Sequence, residues 1–118
     1  MNPETKLQNE IRCALSDYGI VFRTNAGKFW QGQMVWSNEF QQNVLINLRA
    51  IEGLPEGFSD TLFLGDDGRV AFVEIKTPTG RVRPEQKNFL EAMGRKGHIA
   101  GIVRSVEDAV RLVNGGEK

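Results

Sequence analysis

The sequence predicts an α/β domain in which helices flank a mixed central sheet. Three observations carry that reading. Apolar residues recur at helical spacing near both ends of the chain, at Leu7, Ile11, Ala14 and Leu15 and again at Val106, Ala109, Val110 and Val113. Between them, short apolar runs bounded by glycine, proline and aspartate read as strands, most clearly around Gly65-Asp66-Asp67-Gly68. A helix opening at Pro84 is followed by an apolar run at 98–103, so the last strand returns after a crossover and adds parallel to the sheet.

Each element has a local cause. Asn2 caps the first helix, Pro3 suits its first turn, and Glu4 complements the positive end of its dipole. Tyr18 extends the stripe of Leu7, Ile11, Ala14 and Leu15, and Gly19 stops it. Glu10 projects about 80° from the middle of that stripe, at the border of core and solvent. Residues 20–23 read as a strand, Asn25-Ala26-Gly27 as a turn, and 28–36 as a loosely alternating strand carrying Phe29, Trp30, Met34 and Val35. At 40–51, Val44-Leu45-Ile46 favours a strand; a helical reading of Phe40, Val44, Leu45 and Leu48 ranks lower. Gly53, Pro55 and Gly57 form a loop that delivers the chain to Asp60.

The remaining punctuation is sharper. Thr77-Pro78-Thr79-Gly80 ends the strand that precedes it, and Pro84-Glu85 opens the second helix. Its inner face carries Phe89, Leu90 and Met93, with Gln86 at the centre of the same face. A buried amide there must find partners or cost on the order of 1–3 kcal/mol. Lys96-Gly97 ends that helix, Ser105 and Asp108 make a capping box for the last one, and 115–118 is a frayed tail. The expected order is helix, three or four antiparallel strands, helix, strand, helix.

Composition bounds the function. The 118 residues make one domain, 1–118, with one core; 40% hydrophobic and 25% charged residues are ordinary for a folded chain. No apolar run approaches the ~18–20 residues of a membrane span, and the start lacks the pattern of a signal peptide. The lone Cys13 excludes an internal disulfide and a cysteine zinc cluster, so a cytoplasmic setting is expected. Fifteen basic and fifteen acidic residues argue against coating nucleic acid by bulk charge, although Arg81, Arg83, Lys87, Arg95 and Lys96 form a local basic rim. His98 has no partner at zinc-ligand spacing, and there is no nucleophile elbow, phosphate loop or helix–loop–helix calcium site.

The chemistry concentrates on one hairpin. A three-residue loop of Asp66, Asp67 and Gly68 sets Gly65 opposite Arg69, and counting outward places Asp60 across from Glu74. Residues facing one another share a face about 5 Å apart at Cβ, and alternation puts Lys76 on that face too. Two carboxylates, an ammonium and the Ile75 carbonyl together suit a hard divalent cation such as Mg²⁺, which prefers oxygen ligands and keeps several waters. A plain ion pair of Lys76 with Glu74 or Asp60 is the structural alternative. Glu74 follows the apolar run Val70-Ala71-Phe72-Val73, where a carboxylate is disfavoured unless paired or metal-bound.

Glu10, Gly57-Phe58-Ser59-Asp60, Glu74-Ile75-Lys76-Thr77, Gly80, Gln86 and Val103-Arg104-Ser105 together resemble the PD-(D/E)xK nuclease superfamily, and more narrowly its virus-type replication-repair nuclease (VRR-NUC) branch. Ser59 stands where the superfamily's name has proline. The resemblance implies a restriction-endonuclease-like core and a metal-dependent endonuclease that hydrolyses DNA phosphodiesters. Stand-alone domains of this branch occur in phages and bacteria and are associated with branched DNA, including four-way (Holliday) junctions, cleaved by homodimers. It implies Asp60, Glu74 and the Ile75 carbonyl as ligands of Mg²⁺ or Mn²⁺, and Glu10 acting through water or a second ion. Lys76 would orient or deprotonate the attacking water, and Gln86 would position Lys76 or the phosphate. Arg81, Arg83 and Lys87 are the DNA-contacting candidates, and Trp30, Trp36, Phe29 and Phe40 the candidates for a dimer interface or for filling a small core. No membrane or small-molecule substrate is implied; the setting is a bacterial cell or a phage-infected host. The rival readings are a flap- or restriction-type nuclease of the same superfamily, and a non-catalytic DNA-binding module that keeps the fold.

Overall fold

The computed structural model of the chain describes residues 2–24 and 26–114. The expected tail at 115–118 and Asn25 of the expected turn lie outside the described residues.

Helix α1, Pro3–Leu15, starts as its sequence requires: the Asn2 side chain accepts the Thr5 N–H at 2.7 Å. It ends three residues short of Tyr18, which is exposed and does not extend the apolar stripe. Ser16 closes the helix instead, its hydroxyl donating to the Cys13 carbonyl. Strand β1 is Gly19–Arg23, β2 is Lys28–Ser37, β3 is Gln42–Glu52, β4 is Thr61–Gly65 and β5 is Val70–Ile75. Helix α2, Pro84–Arg95, strand β6, Ile99–Val103, and helix α3, Val106–Val113, complete the chain.

The central sheet has four strands in the order β1-β4-β5-β6. β4 pairs antiparallel with both β1 and β5, and β6 adds parallel to β5, as the crossover through α2 requires. The β4–β5 register pairs Thr61 with Val73 and Leu64 with Val70. The Gly65 N–H donates to the Arg69 carbonyl at 2.7 Å, and Gly68 holds the left-handed turn position with φ 89°. That is the spacing inferred from the turn, and it sets Asp60 level with Glu74.

Alternation then divides the sheet. One face sends Phe63, Ala71, Val73, Ile75 and Val103 into a core with Ile11 and Leu15 of α1 and Ala109 and Val113 of α3. The other face carries Phe72 and Glu74 beneath α2, where Phe58, Phe72 and Phe89 stack edge to face or tilted at centroid distances of 4.6–5.7 Å. Helix α3 is capped by the Ser105 hydroxyl on the Asp108 N–H, but the Asp108 carboxylate accepts from Arg104 N rather than Ser105 N. The capping box therefore closes one residue further out than the sequence suggests.

The segment 28–52 departs most from expectation. Both of its strands form, but β2 and β3 pair with each other as a separate two-stranded sheet and do not join the central one. They form an arm inserted between β1 and β4, which are themselves neighbours with Arg23 level with Thr61. The arm's base is closed by Gly27 N–H to Leu54 O at 2.8 Å and Gly53 N–H to Gly27 O at 2.7 Å. It accounts for a 57 Å long axis and a radius of gyration of 17.1 Å, where a compact chain of this length has about 13–14 Å. Among the described residues, no helix is long and apolar enough to cross a membrane.

Candidate active site

The end of the β4–β5 hairpin gathers the charged residues. Asp60 precedes β4, Glu74 is the penultimate residue of β5, and Lys76 follows it. Asp60 and Glu74 hold each other's strands in a reciprocal clamp. The Asp60 N–H donates to Glu74 Oε1 at 3.1 Å, while the Ile75 N–H donates to the Asp60 carboxylate at 3.3 Å. The Thr61 hydroxyl adds a third contact, on Asp60 Oδ1 at 3.0 Å. Thr24, at the foot of the arm, donates its N–H to the Asp60 carbonyl at 2.9 Å and its hydroxyl to the Ser59 carbonyl. Ser59, in the position of the superfamily's proline, is fully buried and donates its hydroxyl to Thr61 O. Gly57 (φ 91°) lets the loop run against the start of α2: a Cβ there would stand 2.5 Å from the Glu85 carbonyl.

Gln86 resolves the question its burial raised. It is only 6% exposed, yet both ends of its amide are used. Its Oε1 accepts the Arg83 N–H at 2.9 Å, capping α2, and its Nε2 donates to Glu74 Oε2 at 2.9 Å. Lys76 Nζ stands 3.6 Å from the same Glu74 oxygen. The ion pair considered from sequence is therefore present. It leaves Asp60 and Glu74 as two carboxylates sharing one ammonium.

The electrostatics reflect that shortfall. Burial, then the neighbouring Asp60 charge, pushes the Glu74 carboxyl up to about 7, with Lys76 and the Asp60 N–H pulling the other way. Burial also raises Asp60, opposed by its bonds from Thr61 and Ile75 and by the Lys76 charge, while Glu4 adds to the rise. A pair of buried carboxylates, each disfavoured as an anion, is a donor set that fits an added hard cation. Among the described residues, no three His, Cys, Asp or Glu side chains assemble into a metal-holding group by themselves. The protein ligands available are thus two carboxylates and the Ile75 carbonyl, with room for water in the rest of an octahedron.

Glu10 does not join this cluster. It is exposed and lines a groove with Lys6, Thr77, Pro78 and Arg104. The helix carboxylate that bears on Asp60 is Glu4, six residues earlier. The reason is geometric: α1 packs on the face of Val73 and Ile75, opposite the one carrying Glu74, so only its first turn reaches the strand ends. Arg104 is a second residue that the sequence did not single out by role. Its Nη1 donates to the carbonyls of Thr77 (2.6 Å), Gly80 (2.9 Å) and Pro78 (3.3 Å), pinning the loop that follows Lys76. An arginine directly after a short apolar strand was the available signal. Arg81, Arg83 and Lys87 are exposed beside the site, and Arg83 is drawn towards Glu85 at 3.8 Å.

A mixed sheet with an Asp on one strand, Glu-x-Lys on the next, and helices on both faces is the PD-(D/E)xK nuclease arrangement. The VRR-NUC domain model matches residues 2–107, so this chain belongs to the VRR-NUC family, a nuclease domain of PD-(D/E)xK type with DNA as its substrate. The fold is also similar to a solved VRR-NUC domain structure, with a TM-score of 0.57 at 17% identity over 97% of each chain. No curated protein matches the chain.

Proposed function

We propose that the domain is a divalent-metal-dependent endodeoxyribonuclease that cuts branched DNA, such as a four-way junction, as a homodimer. The observation that carries the metal dependence is the Asp60–Glu74 pair: two carboxylates at one strand end, both disfavoured as anions, with a single ammonium between them. Mg²⁺ or Mn²⁺, held by Asp60, Glu74 and the Ile75 carbonyl, would supply Lewis acidity to activate water and offset charge on the phosphate. Glu4 extends the negative field over the strand end, in the role first assigned to Glu10. Gln86 fixes the Glu74 carboxylate through Oε2 and so holds its free edge towards the ligand. Lys76 is mobile enough to leave Glu74 for a phosphate oxygen, where it orients the attacking water and stabilises charge in the transition state. Arg81, Arg83 and Lys87 hold the flanking backbone. Paired nicks across a junction call for two such sites, which a two-fold dimer supplies.

A gel assay of four-way junction, flap and linear duplex, each with Mg²⁺, Mn²⁺ or EDTA, tests this reading. Cleavage should require the ion, favour the junction, and disappear in Asp60→Ala and Lys76→Ala while binding persists. Cleavage that survives EDTA or both substitutions would contradict it.

A further inference from the structure

The arm carries an apolar face that nothing in the chain covers. Residues paired across β2 and β3 share a side, and alternation places Trp30, Gly32, Met34 and Trp36 of β2 on one of them. Leu45, paired with Met34, and Leu48, which lies across Gly32, complete that side from β3. The opposite side is polar: Arg49 donates twice to Gln31, and Asn47 donates to Gln33. Trp30 is 64% exposed, Met34 61% and Trp36 58%, with Phe40 62% exposed at the tip. β2 and β3 make extensive contact only with each other among the described residues. A two-stranded hairpin alone is marginally stable in water, so an arm of this length needs support on its apolar side.

From these observations we infer that the Trp30–Met34–Trp36 face is the docking surface for a second copy of this chain. Three features select that occupant. At the exposures given, the two tryptophans, Met34, Leu45, Leu48 and Phe40 present on the order of 600 Å² of apolar surface, the most a monomer usually shows. That is close to the ~800 Å² that each partner brings to a standard interface. The arm's ionisable residues are Lys28, Glu39, Arg49 and Glu52, which cancel, and Arg49 lies on the other side. Nucleic acid would need clustered cations there. The face is also suited to self-pairing: Trp30 and Trp36 are equally far from its middle, so a two-fold axis near Met34 sets each against the other's counterpart. The inference rests on the arm alone, so an active monomer would overturn it and leave the nuclease reading intact.

Trp30 and Trp36 are the chain's only tryptophans, which makes their fluorescence a reporter of this face. Sedimentation at micromolar concentration should give twice the 13.2 kDa chain mass, with blue-shifted emission that moves to the red on dilution to monomer. Trp30→Ser/Trp36→Ser should weaken the dimer roughly 100-fold or more while circular dichroism and melting of the body stay unchanged. A wild-type monomer with water-exposed emission overturns the proposal, as does a dimer that survives the double substitution. A blue shift that appears only with four-way junction DNA, on a monomeric protein, assigns the face to nucleic acid and equally overturns it.

Discussion

The β4–β5 and β2–β3 hairpins share an antiparallel ladder and little else. β4 and β5 are short, five and six residues, and sit mid-sheet, with β1 on one side, β6 on the other and helices over both faces. β2 and β3 run ten and eleven residues with no sheet neighbour beyond each other. The first hairpin buries a glutamate; the second exposes two tryptophans. Burial in this chain therefore follows neighbours rather than the polarity of the side chain. A carboxylate is kept inside where hydrogen bonds and a cation can hold it, and an aromatic stays outside where no element comes to cover it. Each inversion marks a surface with something to bind.

The sharpest way to break the comparison is at the buried pair. Asp60→Ala and Lys76→Ala should each lower the cleavage rate at least ~100-fold, read in single-turnover assays, with DNA binding changed far less. A residual rate within tenfold of wild type in either would separate the site from the chemistry.

Excising the arm is the next test. Gly27 and Gly53 are already joined by a hydrogen bond, so removing 28–52 and linking them through two residues leaves β1 and β4 paired as a plain hairpin. The body should keep its circular dichroism and melt within a few degrees of the full chain, while sedimenting as a monomer. Collapse of the body would show that the arm supports the core.

Smaller effects sharpen the account of the site. Gln86→Ala removes a donor to the buried Glu74 and the acceptor for Arg83 N–H, at a cost of about 2 kcal/mol in chemical denaturation. Cleavage should fall by about tenfold because Glu74 is no longer held in place. The pH dependence has a defined sign. Glu74 titrates in the fold at about 7, above its ordinary 4.5, so its neutral form is the favoured one in the folded state. Its contribution to stability is complete below 4.5 and is lost as pH rises through 7, and Asp60 acts in the same direction. Without metal, melting temperature should fall between pH 5 and pH 8. Mg²⁺ should restore several degrees at pH 8 and very little at pH 5.

How much was readable in advance follows the same division. The β4–β5 register came from one turn, because a three-residue loop with glycine at its left-handed position fixes every pair above it. Gln86 was legible as a polar residue on an apolar helical face, although its partners were not. Glu10 was misplaced because spacing within a helix gives the angle from its apolar stripe but not which sheet face that stripe covers. α1 covers the face opposite Glu74, so the reach of its first turn, Glu4, is what counts. The arm was read correctly as two strands and incorrectly as part of the main sheet. Alternation specifies a strand's two sides and is silent on its neighbours.

The account depends on Asp60 and Glu74 acting as a cation site, and Mn²⁺ binding measured by calorimetry on wild type, Asp60→Asn and Glu74→Gln tests it without recourse to cleavage. One saturable site per chain, stronger at pH 8 than at pH 5 and lost in both variants, is the predicted result. Binding of equal strength in all three proteins, or none in any, would contradict it.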